Sequence, residues 1–288
     1  MTILYTGSNG KHAINPTKAF VEFIQYIDIE AFLHSRFDIR TFLSEMKYFL
    51  GDIAKINGMT LDQGSFNKCN GDWYEWLISI RAIEFFVKSN KRSIVVNLPN
   101  IRSFDVVSLY ENKLRDYIYD LSAKLKSNNV NLITSNPDFF IIDISNERDD
   151  LKKSLRDVDF YSVDENLIHK IDFLHKKFIA SSSLDEIMGY LSVKTTFRPD
   201  RRLQLAHEGS LMKALYAHLQ TRTWSINAKG ISYYGAATDI KEADRQGLQT
   251  IATHTITDVK NSPQRAVDEL FVVNSIKDID DMLDFITY

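Results

Sequence analysis

Asn136-Pro137-Asp138-Phe139-Phe140-Ile141-Ile142-Asp143-Ile144 is the stretch from which the fold can be read. Asn-Pro-Asp is a turn signal, because proline fixes its own φ and short polar side chains hydrogen-bond to nearby backbone. The apolar, partly β-branched run behind it has the composition of a strand buried on both faces. Tyr190–Phe197 (YLSVKTTF) reads as a second strand, and period-two alternation sets Ser192 and Lys194 on one face. Ser93–Leu98, closed by Pro99, is a third. Further strands are expected at 231–238, 249–257 and 269–273.

Helices separate these runs. Residues 203–220 carry an apolar stripe of Leu205, Leu211, Leu215 and Leu219, and 106–127 one of Leu109, Leu114, Tyr117 and Leu121. Upstream, 16–34 and 38–56 show mixed three- and four-residue spacing, as in Phe42, Met46, Phe49 and Ile53. A polar stretch from Asn57 to Asn70 then opens into a helix from Asp72 to about Lys88. Residues 149–178 are charged and read as surface helix and loop. No repeat or linker interrupts the chain, so 1–288 reads as one domain, mainly helical over 1–90, with its core in 91–288. The expected fold class is α/β, a mixed central β-sheet flanked by helices, with a largely helical N-terminal portion.

Composition constrains function only loosely. Hydrophobic residues make up 44% of 288 and charged residues 25%, ordinary for a protein with a sizeable core. A formal net charge of −3 does not advertise a nucleic-acid binder. Any DNA contact must come from basic residues gathered on one face. Cys69 is the only cysteine, which excludes an intrachain disulfide and a cysteine-rich zinc site. The N-terminal stretch lacks a signal-peptide pattern, and no apolar run approaches the roughly 20 residues that span a bilayer, so a cytoplasmic protein with no membrane partner is expected.

Charged side chains collect at the ends of these elements. Asp138 opens the strand 138–144, Lys194 lies on the strand 190–197, and Glu208 follows 14 residues later in the next helix. Glu75 is placed one turn into the helix that starts at Asp72. Two carboxylates and a lysine suit phosphodiester hydrolysis. Carboxylates can hold Mg²⁺, which neutralises the scissile phosphate and helps ionise water, and a lysine stabilises developing charge. Taken singly, each has a plainer reading: a turn aspartate, a solvent-facing edge lysine, a glutamate on the wet face of a helix. His207 reads as helix surface.

The segment Ser192–Glu208 also contains Arg198-Pro199-Asp200-Arg201-Arg202. Arginine pairs bidentately with guanine O6 and N7, and aspartate accepts from cytosine N4, so Arg198, Asp200 and Arg201 form a plausible reader of adjacent G and C. The local alternative is a basic helix N-terminus with Asp200 as N-cap.

Over most of its length the chain resembles type II restriction endonucleases (type IIF-like) of the PD-(D/E)xK superfamily, in the branch that reads CCGG. Three blocks carry the resemblance: Ser135-Asn-Pro-Asp138, Ser192-Val-Lys194 with Glu208 beyond it, and Arg198-x-Asp200-Arg201. A fourth, Gly64–Trp76, together with NSPQRAVDE from Asn261, is similar to the members that cut purine-CCGG-pyrimidine. The superfamily usually has an acid two positions before the lysine, where this chain has Ser192. The CCGG branch shows the same departure, with the acid moved to the following helix.

That resemblance implies Asp138 and Glu208 as Mg²⁺ ligands, Lys194 beside the attacking water, Glu75 as an accessory acid and Ser192 as a minor polar member. It implies Arg198, Asp200 and Arg201 as readers of CCGG in the major groove of double-stranded DNA, with Asn67 and Lys68 as weaker candidates for minor-groove or backbone contacts. It further implies cleavage before the first C with a four-base 5′ overhang, a homodimer assembling into a homotetramer, and a cognate methyltransferase in the same bacterial system. Two rivals share parts of this pattern. A repair or resolvase-type nuclease would have no use for the arginine–aspartate reader, and a DNA-binding protein that does not cut would gain nothing from clustered carboxylates.

Overall fold

The computed structural model describes residues 2–7, 10–34, 38–101, 103–134, 136–145, 147–257 and 262–288; Ser135 and Asn261, the first residues of two blocks quoted above, lie outside them. Along the chain run β1 (Leu4–Thr6), β2 (His12–Ile14), α1 (Pro16–Tyr26), α2 (Ile29–Leu33), α3 (Ile39–Ile56), α4 (Gln63–Lys88), β3 (Ser93–Asn97), α5 (Asn112–Ser127) and β4 (Phe139–Asp143). They are followed by α6 (Arg148–Leu155), α7 (Glu165–Asp172), β5 (Ile187–Lys194), α8 (Pro199–Thr223), β6 (Ser232–Ala237), α9 (Glu242–Leu248), β7 (Glu269–Val272) and α10 (Ile276–Ile286). The chain forms two compact units: Met1–Asn90 with Asp149–Ile171 and Val273–Phe285, and Lys91–Arg148 with Asp172–Val272 and Ile286–Tyr288.

The first unit is helical apart from the hairpin β1–β2. Its core is aromatic: Phe23 meets Phe42 edge to face at 5.1 Å, and Phe32 meets Phe160 at 6.0 Å. The indole of Trp73 donates to the Pro16 carbonyl at 3.0 Å, which fixes α4 to the start of α1. Arg81 holds Asp280 through two bonds of 2.6 Å and Glu84 through one of 2.5 Å, the bidentate geometry arginine favours.

Two helix boundaries in this unit differ from those expected. The helix expected over 16–34 breaks at Asp28, whose carboxylate accepts from Ala31 N at 3.0 Å and starts α2. Helix α4 begins at Gln63 and not near Asp72, because Asp62 caps it by accepting from Ser65 N at 2.7 Å. Glu75 therefore sits in mid-helix and not one turn from the start.

The second unit is built on a five-stranded mixed sheet in the order β3-β4-β5-β6-β7. The pairs β3–β4 and β4–β5 are antiparallel, and β5–β6 and β6–β7 are parallel. Every residue of β3 and all but the last of β4 are buried, as the apolar run implied. Helices flank the sheet: α8 lies over β6 and packs against α5 and α9, and Phe178, in the 3-10 segment Leu174–Phe178, meets Phe140 of β4 edge to face at 5.5 Å. This is the α/β architecture expected.

Register and boundaries place the rest. Strand β5 is the middle strand, so Lys194 is not on a solvent-facing edge. The helix expected over 106–127 opens as a 3-10 turn, Val106–Leu109, before α5 begins. Residues 249–257 form no strand. Ile251 makes one isolated bridge to Arg265, Thr253 N donates to the Ser210 hydroxyl, and Thr255 N turns back to the Ala252 carbonyl, so Thr253–Ile256 closes as a 3-10 turn. Helix α8 starts at Pro199, with Arg198 at the N-cap and Asp200 inside the first turn, so Asp200 is not the cap. Proline suits the first helical position because its missing N–H would find no partner there.

Candidate active site

Asp138 immediately precedes β4, and the pairing of Phe139 with Leu191 brings it beside the C-terminal half of β5. Its side chain is buried, at 6% exposure. One carboxylate oxygen accepts the Val193 backbone N–H at 2.6 Å and the Lys194 ammonium at 2.7 Å; the other accepts Lys194 at 3.0 Å. Lys194 is mostly buried, at 19% exposure, so this ion pair is poorly screened by solvent. Because Ser192 and Lys194 share one face of β5, one strand presents both a hydroxyl and an ammonium to the site.

Glu208 lies on α8 with 2% of its surface exposed, which rules out the wet face of the helix. Its Oε2 accepts the Tyr233 phenol at 2.7 Å and the Ser192 hydroxyl at 3.3 Å, and its Oε1 accepts the Gln204 amide at 2.8 Å. Ser192 and Tyr233 also touch each other at 2.9 Å, so the serine proton is shared between the phenol oxygen and the carboxylate. Burial, and next the charge of Glu208, hold the Tyr233 phenol well above its ordinary pKa; it stays a neutral donor. Val193 and Ser192, consecutive residues of β5, thus hold the two acids.

Close approach of α8 makes this possible. A Cβ at Gly209 would stand 2.0 Å from the Ala266 carbonyl oxygen and 3.0 Å from the Tyr233 ring. Only glycine lets the helix come near enough for Glu208 to meet the phenol.

Arg198 and Asp200 pair at 3.3 Å at the start of α8, each about two-thirds exposed (65% and 64%). Arg201 reaches the Gln204 side-chain oxygen Oε1 at 3.5 Å, a weak contact. Gln204 therefore stands between the arginine segment and Glu208. His207 is exposed on the helix surface, as expected. Glu75, Asn67 and Lys68 are carried by α4 in the other unit; Glu75 is partly buried, and Asn67 and Lys68 are exposed. Asp138, Ser192, Lys194 and Glu208 are the candidates brought together.

Tyr233 and Gln204 were not anticipated. Gln204 had a signal, since it precedes Glu208 by one helical turn on the same face. Tyr233 had none, because its place depends on the register of β6 against β5.

Among the described residues no group of three or more His, Cys, Asp or Glu is arranged to hold a metal ion. The pair Asp138 and Glu208 offers oxygen donors only. That fits a hard cation such as Mg²⁺, which takes one or two carboxylates and keeps much of its own water. No helix among the described residues is long and apolar enough to cross a membrane.

A buried acid at the head of one strand and a lysine on the next, with a second acid on the following helix, are carried by a mixed sheet flanked by helices, the architecture of the restriction-endonuclease fold. Residues 2–287 match the Cfr10I/Bse634I restriction endonuclease family, and the chain belongs to that family: it is a type II restriction endonuclease, a DNA hydrolase of a restriction–modification system. It is 56% identical over 281 residues to the type II restriction enzyme Cfr10I of Citrobacter freundii, a match covering 98% of this chain and 97% of that enzyme. Its fold matches the type IIF restriction endonuclease Bse634I with cognate DNA at a TM-score of 0.84 and 32% identity, covering 98% of this chain and 96% of the other. A second structure of Bse634I gives the same values. Restriction endonucleases of this family normally use a divalent metal ion.

Proposed function

We propose that the enzyme cuts double-stranded DNA at purine-CCGG-pyrimidine before the first C, in a Mg²⁺-dependent reaction that leaves a four-base 5′ overhang. The observation that carries this reading is that two buried carboxylates are held by adjacent residues of β5, one strand-to-helix step before the exposed Arg198 and Asp200 and the half-buried Arg201. In this reading Asp138 and Glu208 would hold Mg²⁺, which when bound supplies charge neutralisation at the scissile phosphate and a more acidic water. Lys194, fixed by Asp138, orients the attacking water and stabilises charge that develops on the phosphate oxygens. Ser192 supports Glu208, and Glu75 serves as an accessory acid. Arg198 and Arg201 donate to guanine edges and Asp200 accepts from cytosine, while Asn67 and Lys68 meet the minor groove or the backbone. That a related enzyme has been seen with its cognate DNA supports a direct DNA contact of this kind.

In this reading the whole chain acts as one endonuclease domain in the bacterial cytoplasm. Two copies form a dimer on the palindrome, dimers pair into a tetramer, and a methyltransferase of the same specificity guards the host DNA. Digestion of a plasmid of known sequence with and without Mg²⁺, followed by end mapping, tests the proposal. Ends at purine-CCGG-pyrimidine with a CCGG overhang, formed only with Mg²⁺, are expected. Ends at unrelated sequences, or cleavage undiminished by chelation, would overturn it.

A further inference from the structure

A glutamate on a helix has three side-chain torsions, and placing its carboxylate for metal binding costs conformational entropy unless neighbours fix it. Tyr233 is positioned to do so. Its phenol is fully buried and donates to Glu208 Oε2 at 2.7 Å, while its oxygen meets the Ser192 hydroxyl at 2.9 Å. The backbone that carries it is pinned on both sides. Tyr233 N donates to Asp268 Oδ2 at 2.8 Å, and Asp268 N donates back to the Tyr233 carbonyl at 2.8 Å.

Asp268 is in turn held from α8. Lys213, 3% exposed, donates to Asp268 Oδ1 at 2.6 Å and to the Arg265 carbonyl at 2.7 Å. Helix α8 is therefore tied at Glu208 to β6 and at Lys213 to the segment that leads into β7. Gly209, between them, removes the one side chain that would hold the helix off.

We propose that Tyr233 is a positioning residue of the metal site, fixing the Glu208 carboxylate through its phenol so that the acid is aimed before metal and DNA arrive. The inference rests on reading Glu208 as a metal ligand. It gives the helix-borne acid a rigid sheet-borne support, the kind of outer partner whose loss in metal enzymes typically costs about 10–100-fold in metal affinity or activity.

The test uses the full-length enzyme with Tyr233→Phe, which removes the hydroxyl and keeps the ring packed. Cleavage is measured against Mg²⁺ concentration, and Ca²⁺ binding to the enzyme on a duplex bearing the site is followed by calorimetry. Expected are a rise of about tenfold or more in half-saturating Mg²⁺ and a matching loss of Ca²⁺ affinity. Duplex affinity without metal should stay close to the parent value, and the melting temperature should fall only modestly, because Glu208 loses one donor but keeps those of Ser192 and Gln204. Replacing Tyr233 by 3-fluorotyrosine, which retains the donor, should restore the parent metal curve. A parent-like metal response in Tyr233→Phe, alongside a Glu208→Ala variant that neither cleaves nor binds Ca²⁺, would overturn the role of Tyr233 alone. Equal shifts with phenylalanine and fluorotyrosine would also overturn it, by assigning the effect to packing. Intact cleavage and Ca²⁺ binding in Glu208→Ala would instead remove the reading of Glu208 on which the inference stands.

Discussion

Charge burial separates the residues of the site into two kinds. Asp138 and Glu208 are nearly inaccessible, and a buried carboxylate is tolerable only when its oxygens are bonded; here Val193, Lys194, Gln204, Ser192 and Tyr233 supply the donors. Arg198 and Asp200 are the opposite case. Their pair is about two-thirds exposed, so it contributes little to stability and breaks readily in favour of another partner. A base edge in the major groove is such a partner. Arg198→Ala and Arg201→Ala are therefore expected to change folding stability by no more than about 0.5 kcal/mol. Each should nonetheless cost roughly 1–3 kcal/mol of discrimination at one guanine, read by competition binding between the cognate duplex and single-base variants. Equal weakening on every sequence would place the residue on phosphate.

Helix α8 is the element in which these roles meet. Its first turn carries Arg198, Asp200 and Arg201, and Glu208 lies about 15 Å further along at the helical rise per residue. A displacement of the helix would move the proposed reader and the proposed metal ligand together. Gly209→Ala is the direct probe, since the added carbon would fall 2.0 Å from a backbone oxygen that cannot swing aside. A lower thermal midpoint, by about 1–3 kcal/mol in stability, and a loss of cleavage larger than the loss of DNA binding are expected. Unchanged melting and cleavage would show that helix and sheet need no such closeness. The buried strand β4 and the alternation in β5 were legible in the sequence because each depends on neighbours a few residues away. The early start of α4 was missed because its cap, Asp62, lies inside the polar stretch Asn57–Asn70. The run 249–257 imitated a strand, and the Ser210 hydroxyl on Thr253 N together with the return of Thr255 N to the Ala252 carbonyl diverts it into a turn. Glu208 could be placed by resemblance alone, since nothing local marks it as buried, and Tyr233 depends on the parallel pairing of β6 with β5, to which no short stretch of sequence points.

At the scale of the whole molecule the decisive fact is that each chain carries one set of Asp138, Lys194 and Glu208. In the proposed reading one such set attacks one phosphodiester, so cutting both strands of the proposed palindrome in a single encounter requires a second copy related by a twofold axis. A closed dimer satisfies that requirement and leaves the proposed tetramer a further step with its own signature. Sedimentation velocity is expected to give a mass near four chains at working enzyme concentrations. A plasmid with two sites should then be cut faster than one with a single site, since the second site binds at the high effective concentration set by the joining DNA. A short duplex bearing the site, added in trans, should accelerate the single-site plasmid, and a duplex of scrambled sequence should not. A dimeric mass with equal rates on one-site and two-site plasmids would leave the dimer as the working assembly and remove the tetramer.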